Sequence, residues 1–188
     1  MPEMLSKKLP LIAFAVIFLF LTGISIVSAH SLGTMGGAQW VISKNNIHVT
    51  MEFAPDLLNM IKDVPKKYKR IDSCSEAQLQ RIAMEIFKPY IDKELLVWIN
   101  GRKFPITVCK LTKDNGYLYD LTLLIQNIRP TLKKGKNFIK IDYRLFFEES
   151  DGAHINMTTI RSAGSDDSEI QTQFTVDSPV WEGPIEME

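Results

Sequence analysis

The sequence predicts a mainly β fold: a β-sandwich of about eight strands with a two-helix insertion between strands 2 and 3. Three observations carry that expectation. Runs of alternating apolar and polar residues recur, as in Ile139, Ile141, Tyr143, Leu145 and Phe147 against Lys140, Asp142 and Arg144. Turn residues separate the runs at short intervals: Asn45-Asn46, Asn100-Gly101, Asp114-Asn115-Gly116 and Asp151-Gly152. Apolar residues switch to helical spacing in one region, between Pro55 and Pro89.

In chain order, residues 39–53 read as a hairpin. A two-residue turn at Asn45-Asn46 pairs Trp40 with Met51 and Ile42 with Val49 on one face, leaving His48, Thr50 and Glu52 on the other. Residues 55–63 form a short helix through Leu57, Leu58 and Ile61, and the basic stretch 65–70 follows as a solvated loop. Ser73 and Glu76 have capping-box spacing and open a second helix carrying Leu79, Ile82, Ala83, Ile86 and Phe87, which Pro89 ends or kinks. These helices need apolar cover, so they are expected over an open end or edge of the sandwich. Residues 95–108 make a second hairpin around Asn100-Gly101, pairing Val97 with Phe104 and Leu95 with Ile106. Strands follow near 117–125, 138–147, 155–160 and 170–176. Pro179 and Pro184 bracket a polar C-terminal tail, 179–188.

The first 29 residues read as a signal peptide. Lys7 and Lys8 precede the apolar run 11–21, and Val27-Ser28-Ala29 places small residues before a cut that leaves His30 first. The alternative is an uncleaved anchor, since 9–27 is just long enough to span a bilayer. Either way, residues 30–178 are expected to form an exported domain, periplasmic or extracellular. The chain has 22 basic and 22 acidic residues. Lys7, Lys8 and Glu3 leave with the leader, so the remainder carries 22 − 2 = 20 basic and 22 − 1 = 21 acidic residues, a net of −1. That balance gives no basic surplus for nucleic acid.

Export makes Cys74 and Cys109 a candidate disulfide, closing a loop of 109 − 74 = 35 positions. Two independent buried thiols are the alternative. The spacing does not match a zinc site or a redox C-x-x-C. No nucleophile elbow, phosphate loop, dinucleotide fingerprint or H-E-x-x-H is present. Asp166-Asp167 lies in a polar loop, and Asn156-Met157-Thr158 fits a glycosylation sequon. No small-molecule substrate is identifiable.

The histidines are the candidates for specific chemistry. An N-terminal His30 offers its amine and its imidazole to one metal ion, and His48 or His154 would supply a second imidazole. Such nitrogen donors suit copper or nickel. Asp151 would orient His154. The plainer alternative is three solvated histidines.

A mature chain beginning with His30, followed later by the stretch IDYRLFFEESDGAH, Ile141 to His154, resembles the exported N-terminal domain of the hydrogenase/urease accessory proteins of the HupE/UreJ type. The matching positions are His30, Asp142, Tyr143, Arg144, Asp151 and His154. The hairpin at Asn100-Gly101, preceded by a helix, fits the same layout. The resemblance implies an exported β-rich domain near a membrane permease. It does not carry transport over, because this chain has no run of later membrane helices. The basic stretch 66–70 also stands where some of those proteins have an acidic calcium-type loop. The expected function is therefore a non-enzymatic exported domain that binds a partner, such as a permease or other envelope protein. The rival is a periplasmic copper or nickel carrier built on His30.

Overall fold

The computed structural model describes residues 35–114, 117–163 and 169–187. The leader, His30, the Asn115-Gly116 turn and the loop containing Asp166-Asp167 lie outside the described residues.

The fold is mainly β, in two sheets. The chain runs β1 (Met35–Ile42), β2 (Asn46–Phe53), α1 (Pro55–Met60), α2 (Asp63–Tyr68), a 3-10 turn (Ile71–Ser73), α3 (Glu76–Ile82), a π-helical turn (Ala83–Phe87) and α4 (Lys88–Glu94). It continues through β3 (Leu95–Ile99), β4 (Arg102–Phe104), β5 (Thr107–Lys113), β6 (Tyr119–Gln126) and β7 (Gly135–Tyr143). It closes with β8 (Ile155–Ser162), β9 (Ile170–Phe174) and β10 (Val180–Met187). The order β5-β6-β2-β1-β8-β9 makes a six-stranded sheet, and β10-β7-β3-β4 a four-stranded one. Neighbours are antiparallel except β1 and β8, which run parallel. One apolar core lies within, and Trp40, Tyr119, Tyr143, Phe53, Phe87, Phe146 and Phe174 are its largest enclosed side chains.

The helical segment lies between β2 and β3, as expected, but it holds four α-helices in place of two, and most of the basic stretch expected as a loop over 65–70 is α2, where Lys66 and Lys67 pair with Asp63 and Glu85. It packs chiefly on β5, an edge strand of the larger sheet, where Gln80 Nε2 donates to the Leu111 carbonyl at 3.1 Å. A backbone acceptor on an open edge is thereby occupied. The capping box opens two residues later than Ser73 and Glu76 suggest. Ser75 Oγ accepts from Gln78 N–H, and Gln78 Oε1 accepts from Ser75 N–H at 2.8 Å. Ser73 instead donates to the Arg70 carbonyl from the 3-10 turn. Pro89 does not end the helix. It has no N–H to give Glu85, and the wide turn at Ala83–Phe87, where Lys88 N–H reaches the Ala83 carbonyl, absorbs the misfit just ahead of it.

The first hairpin has the expected face but a register two residues away: Trp40 pairs with Val49 and Ile42 with Ile47. Ser43 moves the turn. Its hydroxyl donates to the Asn46 carbonyl at 2.9 Å and accepts from Asn46 N–H at 3.2 Å, so Lys44 and Asn45 become the loop residues. The second hairpin holds Val97 opposite Phe104, with Asn100 and Gly101 at positive φ of 49° and 80°. Leu95 does not meet Ile106. The strand stops at Phe104, before Pro105, and β5 joins the other sheet. The strand expected over 138–147 ends at Tyr143, and Leu145, Phe146 and Phe147 all turn inward.

The polar tail expected at 179–188 is instead β10. Trp181, Gly183, Ile185 and Met187 face inward along β7, while Pro184 sits on an edge strand, where a missing N–H costs no ladder bond. The expectation of about eight strands thus becomes ten among the described residues, from β10 and from the division of 102–113 between the two sheets.

Candidate functional site

The residues that suggested chemistry separate in the fold. His48 lies on the outer face of β2, exposed, opposite Val41, which is in turn level with Arg161 of β8. His154 precedes β8 at its other end, seven positions before Arg161, a span of roughly 23 Å. It is fully buried. His48 and His154 therefore do not converge. No cluster of three or more His, Cys, Asp or Glu able to hold a metal occurs among the described residues.

The stretch from Asp142 to His154 forms a packed knot. Tyr143 and His154 meet inside the core, with the Tyr143 hydroxyl 3.1 Å from His154 Nε2. Phe174 stacks on Tyr143 at 5.0 Å between ring centroids, and Phe146 meets the His154 ring at 5.4 Å. Burial holds the Tyr143 hydroxyl protonated well above the usual tyrosine range. Phe146 adopts φ of 65°, a left-handed conformation that costs a bulky residue about 1–3 kcal/mol. Its N–H donates to the Tyr90 hydroxyl at 2.6 Å, which itself donates to Glu149 Oε2 at 2.8 Å. Asp151 does not orient the histidine. It is an exposed turn residue with φ of 51°, and Ser150 Oγ takes the His154 N–H at 2.9 Å. Asp142 and Arg144 pair on the opposite face of β7 through Nε–Oδ1 at 2.9 Å and Nη2–Oδ2 at 3.2 Å. The motif that carried the resemblance is thus, in this structure, a structural closure.

Cys74 and Cys109 are free thiols, not the expected disulfide. Cys74 follows the 3-10 turn whose Ile71 carbonyl accepts from the Tyr119 hydroxyl at 3.3 Å. Tyr119 pairs with Lys113 at the far end of β5. Cys109 lies four positions back from Lys113, roughly 13 Å along the strand, where a bulge between Val108 and Lys110 turns it to solvent.

A candidate surface for binding is the outer face of the four-stranded sheet. The strand period places Val180, Glu182, Pro184 and Glu186 of β10 on it, with Lys136, Phe138, Lys140 and Asp142 of β7, Leu96 and Trp98 of β3 and Lys103 of β4. Pairing sets these side chains in rows: Glu182, Lys140, Trp98 and Lys103 across four strands, and Pro184 beside Phe138. Phe138 is 49% exposed and Val180 41%. Lys140 Nζ lies 5.4 Å from the centre of the Trp98 ring, and Lys136 Nζ 5.3 Å from that of Phe138. The lysines stand over the faces of these rings, where the ring quadrupole attracts a cation. The alternation of 138–147 sets Lys140 and Asp142 on the side away from the core, where Lys140 is half-buried and Asp142 is buried beneath its pairing with Arg144. Phe138 and Trp98 carry no signal of an uncovered face in the sequence, because only the strand pairing sets them on one.

No family model matches the chain, and no curated protein matches it. Among the described residues, no helix is long and apolar enough to cross a membrane.

Proposed function

We propose that this chain is an exported, non-enzymatic β-sandwich domain that docks onto another envelope protein through the outer face of its four-stranded sheet. The observation that carries this reading is that one sheet face holds Phe138 and Val180 exposed and Trp98 half-buried, while the helical segment packs on β5 instead. Large apolar side chains gathered on one sheet face are costly to leave wet and mark interaction surfaces. The resemblance to the HupE/UreJ type supports a membrane permease as the partner class.

The leader 1–29 supports export, and the fold supports a part played by shape and surface. A copper or nickel carrier built on His30 is the weaker reading, because His154 is enclosed beside the Tyr143 hydroxyl, which leaves exposed His48 to supply the second imidazole.

The test is co-purification from envelope extracts of cells making the full chain. Trp98→Ser with Phe138→Ser should abolish a discrete co-purifying partner while leaving the melting temperature within a few degrees of the parent. A partner retained by that variant contradicts the reading.

A further inference from the structure

Three segments converge at one end of the sandwich: the β1–β2 turn with Lys44, the β6–β7 connection with Arg129, Leu132, Lys133 and Lys134, and the end of β10 with Met187. Together they line a cleft of about 150 Å³. Among the described residues that line it, the polar side chains are four cations and none is a carboxylate. Among the described residues, none of the four forms an ion pair. Lys66, Lys67, Lys88 and Lys93, by contrast, are matched with Asp63, Glu85, Asp92 and Glu94. Glu186, across from Lys136 on β10, is not part of the lining.

The loop that carries these cations is held in place. Asn137 is fully buried, accepts from Lys133 N–H at 2.8 Å, and donates to the Lys133 and Gly135 carbonyls at 2.8 and 2.9 Å. Asn100 Nδ2 donates to the Thr131 carbonyl and to Asn137 Oδ1. Ile128 N–H reaches the Asn45 carbonyl at 3.3 Å, tying this loop to the turn that carries Lys44. A buried amide spending its hydrogen bonds on loop backbone pre-sets positions that would otherwise cost conformational entropy to order around a ligand.

Four unmatched cations on a fixed scaffold repel one another, and a bound anion removes that cost. One carboxylate would offset a single charge. A phosphate group brings up to about two charges and several acceptor oxygens, matching an Arg fork plus Lys point charges. Leu132 and Met187 add apolar wall, which strengthens each charge contact relative to open water.

We propose that this cleft binds a phosphate group, presented either by a soluble phosphate ester or by a phospholipid headgroup. The site is independent of the docking face, since neither Trp98 nor Phe138 lines it.

The test uses the full chain as processed by the cell. One arm titrates it with glycerol phosphate by calorimetry, and the other measures binding to phosphatidylglycerol vesicles against phosphatidylcholine vesicles. Lys133→Gln with Lys134→Gln, and separately Lys44→Gln with Arg129→Gln, should each weaken binding about tenfold or more. Lys66→Gln with Lys67→Gln removes the same charge elsewhere and should change it less than about twofold. Binding in both arms, with glycerol phosphate displacing vesicles, supports the site for the shared phosphate chemistry. Vesicle binding alone assigns the headgroup, and glycerol phosphate binding alone assigns a soluble ester, provided the cleft variants lose it selectively. Equal losses in cleft and control variants, or no binding in either arm, overturn the proposal.

Discussion

The hydroxyl of Tyr143 lies 3.1 Å from His154 Nε2 with both side chains inside the core. Removing it leaves the imidazole nitrogen without that partner, so Tyr143→Phe should destabilise by about 1–2 kcal/mol at neutral pH in urea unfolding. The alkaline limb follows from the same burial. The folded-state pKa is raised above the unfolded value of about 10, so this tyrosine's contribution is complete below pH ~10 and is lost as pH rises beyond it. Tyr90, raised mainly by burial as well, acts in the same direction. Stability should fall by up to about 1.4 kcal/mol per pH unit for each tyrosine above that point, and Tyr143→Phe should flatten the slope. An unchanged slope would remove Tyr143 from the account. Gly36 adds a steric expectation: a Cβ there would stand 3.0 Å from Asn156 Nδ2 and 3.1 Å from both His154 Cε1 and Phe53 Cδ1. Gly36→Ala should therefore lower the melting temperature, at a cost of about 1–3 kcal/mol.

At the scale of elements, β10 separates this structure most sharply from a reading by composition. Truncation after Ser178 would remove the β7 partner strand and uncover the apolar surface that Ile185 and Met187 fill. Those two side chains alone are worth about 3–6 kcal/mol, comparable with the whole stability of a small domain. The truncated protein should be largely insoluble or molten by circular dichroism, whereas loss of a true tail would be silent. The spacing of Trp181, Ile185 and Met187 was legible as alternation, but Glu182, Glu186 and two prolines made the segment look polar and broken. An edge strand tolerates both. Faces were readable along β1 and β2 because their period is two, and a register shift of two residues preserves them. That is why the first hairpin kept its buried side while its pairs shifted. What the sequence could not show was a non-local choice: that Pro105 sends the chain from one sheet to the other, or that Ser43 captures the turn. The thiols give a check on the same point. Two should titrate with a chromogenic disulfide in the folded protein, exposed Cys109 before half-buried Cys74. A protein with no reactive thiol would place the two residues together, against this topology.

For the whole molecule, the two sheets have different outer faces. The six-stranded sheet presents a polar row, Lys110, Thr122, Thr50, Gln39, Thr159 and Gln171, successive partners across its strands. The four-stranded sheet presents Trp98, Phe138 and Val180 with lysines over the rings. The difference is one of rings and cations rather than of apolar exposure alone, since Met35 and Met157 are 50% and 49% exposed on the six-stranded sheet's outer face. The candidate site was only partly legible in advance. The histidines and cysteines drew attention because they are rare and chemically specific. The proposed docking face is built from common residues that acquire meaning only once pairing sets them side by side. The most direct measurement replaces Phe138 with a photo-reactive phenylalanine in the full chain and illuminates intact cells. A discrete cross-linked partner from position 138, absent when the same group replaces Thr159 on the six-stranded sheet, is the expected result. Cross-linking from neither position, or equally from both, would contradict the assignment of the four-stranded face as the partner surface.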